Sequence, residues 1–159
     1  MKKLLSLGVA TLFIAIAALA LAGSPVGDVR EAAPAGFIGA WRLASLEEEG
    51  ADGKVHQADA SGMLVFTADG HMSVQVMYRN PESGSSAAPV QYAQGGYEAS
   101  YGTYQIEERA HTFTFHVEGA LVRKLVGKDL PRAYELAGKQ LIVKSSNPDE
   151  HWRVTWEHF

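Results

Sequence analysis

The chain has 159 residues, with 18 acidic side chains, 14 basic side chains and no cysteine. Its net charge of −4 lacks the basic excess that binding to nucleic acid or to an anionic membrane surface requires, so neither is an expected partner. Without cysteine, the fold depends on its apolar core and not on disulfides, and a chain of this length predicts one domain.

The N-terminal 22 residues have the pattern of a secretory signal peptide. Two lysines precede an apolar run over 4–21, and the run ends in small residues with the spacing that a signal peptidase requires. We therefore expect a signal peptide at 1–22 and a periplasmic or secreted protein without membrane contact after cleavage. Because cleavage removes two of the 14 basic residues and none of the 18 acidic ones, the mature protein has a net charge of −6. In the alternative, the uncleaved run anchors the chain in the bilayer.

Residues 37–159 are predicted to form the folded domain, after a flexible tether over 23–36 with two prolines and three glycines. Eight short segments in this domain have the patterns of strands, one of them apolar on both faces, and are separated by turn residues such as Ala68-Asp69-Gly70. The predicted strands are 37–48, 62–67, 71–78, 97–106, 111–118, 130–136, 140–145 and 150–159. The fold class is therefore all-β, a single antiparallel up-and-down β-barrel of about eight strands, with a β-sandwich as the alternative. A closed barrel leaves no exposed edges, and eight strands enclose an interior for side chains and one small ligand.

The connections between the predicted strands differ in length. Residues 79–90 contain two prolines and a run of Ser and Ala, and we expect them to form a mobile lid at the open end of the barrel. Short helical turns are expected within 91–96 and 119–129.

Several runs of this sequence resemble the bacterial and fungal lipocalin-like domain family, whose members are small proteins related in architecture to the lipocalins. The most specific run is 67–77. The other matching positions are 39–43, 102–104, 116–119, 132, 134–136, 141 and 155–157. The resemblance covers nearly all of 37–159 and implies a lipocalin-type barrel without implying a settled activity.

The resemblance also implies how one end of the barrel closes. Trp41 is expected to plug this end, and Gly39 lets the backbone pass close beneath it. A buried indole needs a partner for its N–H and often carries an arginine over its face, and we expect Arg153 on the last strand to take that place. These three residues are predicted to be structural.

The strand predicted over 71–78 has one polar and one apolar face. Ser73, Gln75 and Met77 alternate with an apolar set that begins at Met72. Alternation alone favours an outward polar face, with the apolar set in the core. The resemblance favours the opposite orientation, because the Ser-x-Gln-x-Met run belongs to its signature, and we therefore predict that these three side chains line the pocket.

A second group of polar residues lies on the two strands predicted over 111–118 and 130–136. His116 and Glu118 share one face of the first strand, and Arg132 and Tyr134 share one face of the second. Glu118 and Arg132 are expected to form a cross-strand salt bridge, with His116 at its edge. Two alternatives are ligand binding, in which Arg132 anchors a carboxylate, and catalysis, in which His116 acts as acid and base while Glu118 orients it.

The function predicted from the sequence is that of an exported barrel that holds a small hydrophobic or amphipathic molecule inside. No cofactor is expected, and no metal site, because the six histidines are scattered without ligand spacing. The alternatives are an isomerase or hydrolase that uses His116 and Glu118 on a hydrophobic substrate, and a packed barrel that binds other proteins. The predicted ligand-binding residues are Ser73, Gln75, Met77, Tyr101, Tyr104, His116, Glu118, Arg132 and Tyr134.

Overall fold

The structure is a computed structural model and describes residues 33–50, 52–80 and 90–159. The predicted signal peptide, most of the predicted tether and most of the predicted lid lie outside the described residues. Nine β-strands are present in the described part. They are β1 (Gly39–Glu49), β2 (Val55–Gln57), β3 (Ala60–Phe66), β4 (His71–Tyr78), β5 (Tyr97–Glu107), β6 (Thr112–Ala120), β7 (Asp129–Ala137), β8 (Gln140–Ser145) and β9 (Trp152–His158).

The strands form one antiparallel sheet that closes on itself. From β3 to β9 each strand pairs with the next, β1 pairs with β3, and β1 also pairs with β9. The three-residue β2 pairs with the last part of β1, along the same edge that β3 occupies near the start of β1. The barrel therefore has eight strands, and β2 is a short extension of it. The prediction of an all-β, eight-stranded up-and-down barrel is confirmed.

Three short 3-10 turns lie between strands. Two of them, Val90–Tyr92 and Arg123–Leu125, fall close to or within the stretches where helical turns are predicted. The third, Glu108–Ala110, joins β5 to β6 and ends at His111, whose φ of 52° is in the left-handed region. In the described part of the chain, no helix has the length and hydrophobicity to cross a membrane.

A bulge in β1 changes which side chains face the interior. The register against β9 shifts between Leu43 and Ser45, so the alternation of faces restarts there. As a result Trp41 is buried before the bulge, and Leu46 and Glu48 are buried after it. If the alternation continued along the strand from Trp41 without a bulge, Leu46 and Glu48 would point to the outside of the barrel.

A second bulge, at Glu118, lets β5 and β6 approach each other closely. Gly102 pairs with Val117, whereas the preceding residue of β5 pairs with Gly119, so Glu118 has no partner in the register. The His116 carbonyl oxygen lies where the Cβ of any larger residue at position 102 would stand. The next nearest atom is the backbone nitrogen of Glu118. Both atoms belong to the backbone of β6 and cannot move aside as the end of a side chain could, so position 102 requires a glycine.

Replacing Gly102 by alanine is expected to destabilise the protein by about 2 kcal/mol, because β5 and β6 must move apart at the bulge. Urea unfolding measures this change, and Gly36→Ala is the matched control, since a Cβ there would meet only an ordinary contact of 3.5 Å with Leu136. If both variants unfold at the urea concentration of the parent, the close approach of β5 and β6 is wrong.

Aromatic rings close the end of the barrel at which β1 begins. Phe37, in the turn before β1, is fully buried, with its ring centroid 4.4 Å from that of Phe66 and 5.1 Å from that of Tyr134. The fully buried Trp41 donates its indole N–H to the Phe37 carbonyl oxygen at 3.1 Å. This bond ties the entering chain to the first strand, so one end of the barrel is sealed and the interior polar groups lie elsewhere.

Candidate functional site

A cavity lies inside the barrel, on the inward face of every barrel strand. The volume open to the centre of a water molecule is about 70 Å³, so the interior is not completely filled by its own side chains. The wall is mostly aliphatic and aromatic, which is typical of a site for a small, partly apolar molecule. The lining residues are Leu46, Leu64, Met72, Val74, Val76, Tyr78, Tyr92, Glu98, Phe113, Phe115, Leu130, Arg132, Val143, Trp152, Val154 and Trp156.

Alternation along the strands places these side chains. In β4 the buried Met72, Val76 and Tyr78 are separated by exposed or half-buried residues. In β9 the three residues Trp152, Val154 and Trp156 are all buried. Because successive side chains of a strand point to opposite faces, each strand contributes its apolar set to the interior. Two charged residues, Glu98 and Arg132, interrupt this apolar wall.

The guanidinium group of Arg132 lies inside the barrel between two aromatic rings. Arg132 is 8% exposed, and its Cζ atom lies 5.1 Å from the centroid of the Tyr92 ring and 5.1 Å from that of the Trp152 ring. Both rings stabilise the cation through their faces and fix its position. Nη1 donates a hydrogen bond to the Pro131 carbonyl oxygen at 3.0 Å. Among the described residues, no carboxylate lies within 4 Å of Arg132 to form an ion pair.

Glu150 holds the two rings that enclose Arg132. Its Oε2 atom accepts hydrogen bonds from the Tyr92 hydroxyl at 3.0 Å and from the Trp152 indole N–H at 3.1 Å. Burial raises the pKa of Glu150. Hydrogen bonds from several neighbours, Trp152 and Tyr92 among them, together lower it by more than burial raises it, so the pKa of Glu150 is below its ordinary value. An ionised Glu150 therefore keeps both rings, and with them the guanidinium, in one arrangement.

Glu98 is the second charged residue in the wall. It lies on β5 opposite Val76 of β4, and burial raises its pKa to about 7, although the positive charge of Arg132 opposes the rise. In the described part of the chain, none of the side-chain hydrogen bonds or ion pairs involves the Glu98 carboxyl group. The cavity thus holds a carboxyl group that gains or loses its proton close to neutral pH.

Another carboxyl group, that of Glu48, lies beside the cavity. Glu48 is 5% exposed, and its Oε2 atom accepts a hydrogen bond of 3.3 Å from the hydroxyl of Tyr78, which itself lines the cavity. Burial raises the pKa of Glu48, and burial together with the charges of Glu48 and Glu98 raises the pKa of Tyr78. The raised pKa values of Glu48, Tyr78 and Glu98 mean that each of these three groups favours its neutral form.

A family model described as "Lipocalin-like domain" matches residues 38–158 of the chain. The match covers all nine strands. The chain belongs to the lipocalin-like domain family.

Two further comparisons accompany the family match. Among solved structures, the chain is similar to a mutant of the fluorescent protein UnaG, with 14% sequence identity and a TM-score of 0.40 over 78% of this chain and 96% of that one. Among curated proteins, none matches the chain.

In this lipocalin-like barrel, the polar face of β4 points away from the cavity. Gln75 and Met77 are exposed and Ser73 is half-buried, whereas Met72 and Val76 on the other face are buried. The prediction that Ser73, Gln75 and Met77 line the pocket is therefore wrong. The physical reason is the one that alternation alone indicates, namely that the apolar face of the strand is the one that leaves water.

Three more of the predicted residues lie on the outer face of the lipocalin-like barrel. Tyr101 is 58% exposed, and both His116 and Glu118 are exposed. His116 pairs through Nδ1 with Asp129 Oδ1 at 2.7 Å. The predicted salt bridge between Glu118 and Arg132 is wrong, because one side chain points out and the other lies inside. An enzyme that uses His116 and Glu118 on a substrate in the cavity is not supported by these positions.

Tyr104, Arg132 and Tyr134 are buried inside the barrel. Only Arg132 borders the cavity. Tyr104 and Tyr134 are buried among the rings of the closed end, and the Tyr104 hydroxyl donates to the Thr67 carbonyl oxygen at 2.8 Å. We therefore assign Tyr104 and Tyr134 to the core and Arg132 to the site.

Two of the three residues predicted to be structural, Gly39 and Trp41, lie at the closed end. Trp41 is fully buried, and a Cβ at Gly39, whose φ is +134°, would lie 2.5 Å from the ring of His158. The ring against Trp41 is that of His158, with centroids 4.8 Å apart. The predicted contact with Arg153 is wrong, because Arg153 pairs with Glu47 at 4.0 Å on the outside of the barrel.

Several cavity residues were not predicted from the sequence. Tyr92, Glu98 and Trp152 are the most important of them. Trp152, Val154 and Trp156 occupy every second position of β9, and this spacing in the sequence indicates an inward apolar face. Glu98 has the same parity in β5 as the buried Tyr104, but nothing in the sequence distinguishes its carboxyl group from a solvated one.

Proposed function

We propose that the protein binds a small molecule with an apolar body and an acidic group inside its barrel. The observation that carries this proposal is the buried guanidinium of Arg132, which faces an apolar cavity without a carboxylate within ion-pair distance among the described residues. Withdrawing such a charge from water is costly unless an anion pairs with it. A ligand carboxylate offsets this cost, and its two oxygens fit the donor geometry of a guanidinium.

The apolar part of the ligand contacts the rest of the wall. Residues such as Met72, Val76 and Val154 offer aliphatic surface, while Trp152 and Trp156 offer aromatic surface. Apolar contacts supply most of the binding free energy in such a site, and the charged group determines the orientation. The cavity volume restricts the ligand to a small molecule.

We also propose that the protein acts outside the cytoplasm. The support is the N-terminal pattern of two lysines, an apolar run over 4–21 and small residues at its end. Mass spectrometry of the mature N-terminus tests this proposal. A chain that begins near residue 23 is expected, and a chain that retains the apolar run in the cytoplasm contradicts export.

The binding proposal is tested with octanoate and octanol, which share a chain and differ in the acidic group. Octanoate is expected to bind more tightly at pH 7, on the order of tenfold, because only its carboxylate pairs with Arg132. Titration calorimetry measures both affinities. Equal affinities would contradict the role of the guanidinium, and no binding of either would contradict the proposed function.

Native mass spectrometry of protein purified from its own compartment addresses the natural ligand. A co-purifying acidic molecule is the expected result. If no adduct is present, and if a panel of fatty acids and aromatic acids leaves the melting temperature unchanged, binding inside the barrel is contradicted.

A further inference from the structure

We propose that Glu98 carries a proton when a ligand is bound and donates it in a hydrogen bond to the acidic group held by Arg132, so that the site selects monoanions such as carboxylates. This inference rests on the proposed function and defines its ligand class. It starts from one juxtaposition, since Glu98 and Arg132 are the two charged side chains in the wall of one cavity. Neither forms an ion pair with a residue of the described chain at less than 4 Å.

The charges in the cavity limit how much negative charge a bound ligand can carry. With Glu98 ionised, the cavity already contains one negative charge beside the one positive charge of Arg132. A ligand anion would then add a second negative charge within an apolar wall, where charges are weakly screened. Protonation of Glu98 removes this excess, and its O–H becomes a donor for a lone pair of the ligand carboxylate that the guanidinium leaves unused.

The proton is available at little cost near neutral pH. Burial raises the pKa of Glu98 to about 7, against the lowering effect of Arg132. A carboxyl group with its ordinary pKa would have to take up a proton at a much larger cost before it could donate.

The other titratable groups that border the cavity also disfavour a second negative charge. From β4, Tyr78 lines the same cavity as Glu98 and is hydrogen-bonded to Glu48 of β1. From the 3-10 turn, Tyr92 is hydrogen-bonded to Glu150 and stacked on Arg132. Arg132 on β7 is the one cation in the cavity wall, so the described wall can neutralise a monoanion but not a dianion.

The test measures octanoate affinity between pH 6 and pH 9, a range in which octanoate stays ionised. The affinity of the wild type is expected to be constant below about pH 7 and to fall about tenfold for each pH unit above it, because binding requires the protonated Glu98. Glu98→Gln keeps a donor that does not titrate, so its affinity is expected to stay constant. The matched control is Glu118→Gln on the outer face, which is expected to follow the wild type.

Two further measurements test the role of Glu98 on the wild-type protein, without a variant. Calorimetry at pH 8 in two buffers of different ionisation enthalpy counts protons, and uptake of about one proton for each bound octanoate is expected. Octyl phosphate, a dianion at this pH, is expected to bind at least tenfold more weakly than octanoate.

The outcomes distinguish the two proposals. Octanoate binding without proton uptake, with the same pH profile for the wild type and Glu98→Gln, would overturn the role of Glu98 and leave the proposed function intact. Octyl phosphate binding as tight as that of octanoate would overturn the selectivity for monoanions. No octanoate binding at any pH would overturn the proposed function, and the inference would fall with it.

Discussion

Replacing Arg132 by methionine is expected to weaken octanoate binding by about a hundredfold at pH 7, which corresponds to about 2.7 kcal/mol. The variant leaves the ligand carboxylate inside the barrel without the cation that lies between the rings of Tyr92 and Trp152. Truncating one partner of a buried, hydrogen-bonded charge pair costs this much or more. Octanol, which has no charge to pair, should lose little affinity.

The same substitution should not reduce the stability of the protein without ligand. A buried charge without a counterion is itself unfavourable, and methionine has a similar volume and an apolar side chain. The melting temperature of unliganded Arg132→Met is therefore expected to equal or exceed that of the wild type. This combination separates loss of a binding group from loss of the fold.

The matched control is Arg153→Met, because it removes the same charge from the outer face of the barrel, where Arg153 pairs with Glu47. Titration calorimetry should give the wild-type affinity for this control. If Arg132→Met and Arg153→Met bind octanoate equally well, Arg132 does not hold the acidic group.

Replacing Trp41 by alanine is expected to lower the free energy of unfolding by about 4 kcal/mol. The side chain is fully buried, and its removal leaves a cavity at the closed end and a Phe37 carbonyl oxygen without the indole N–H that lies 3.1 Å from it. Large-to-small substitutions of buried aromatic residues cost about 3–5 kcal/mol, with an additional penalty for an unsatisfied polar group.

Two further variants make this measurement specific. Trp41→Phe retains a ring against His158, and we expect it to lose about half as much stability as Trp41→Ala. Val55→Ala, at a side chain that is 66% exposed, should change the free energy of unfolding by less than about 0.5 kcal/mol. Urea unfolding measures all three. A loss below about 1 kcal/mol for Trp41→Ala would contradict its role in closing the barrel.

Most of the fold was predictable because alternation and turns are local signals. The predicted strand over 71–78 coincides with β4, and the Ala68-Asp69-Gly70 signal lies in the turn between β3 and β4. The short β2 was missed, since three exposed residues carry no apolar pattern. It pairs with the last three residues of β1, Glu47–Glu49.

The site was much less predictable, because it depends on which face of each strand points inward. Bulges near Ser45 and at Glu118 change the alternation within a strand. Gly102 lies opposite the second bulge, but a glycine within a strand does not by itself show where the alternation changes. Tyr101 and Tyr104 were both predicted to line the pocket although they lie on opposite faces of β5. For β4, simple alternation indicates the orientation that the structure has, whereas the family resemblance indicates the opposite one.

The sequence predicts that Arg132 pairs with Glu118 or, in the alternative, anchors a ligand carboxylate, but it does not predict the aromatic rings around Arg132. Tyr92 lies in a 3-10 turn between β4 and β5, and Trp152 lies on β9. They meet around Arg132 of β7 only because the barrel closes. The raised pKa of Glu98 was not predictable either. It depends on burial and on the charge of Arg132, and both effects arise only in the folded barrel.

The methionine methyl groups provide the most direct test of where the ligand lies. Among the described residues, Met72 is 5% exposed and lines the cavity, whereas Met63 and Met77 are 39% and 49% exposed on the outer face. NMR spectra of protein with ¹³C-labelled methionine methyl groups, recorded during titration with octanoate, report all three positions at once. Binding inside the barrel predicts a shift of the Met72 methyl signal and nuclear Overhauser contacts from it to the ligand chain, with Met63 and Met77 unchanged. Shifts and contacts at Met63 or Met77, with Met72 unchanged, would contradict it.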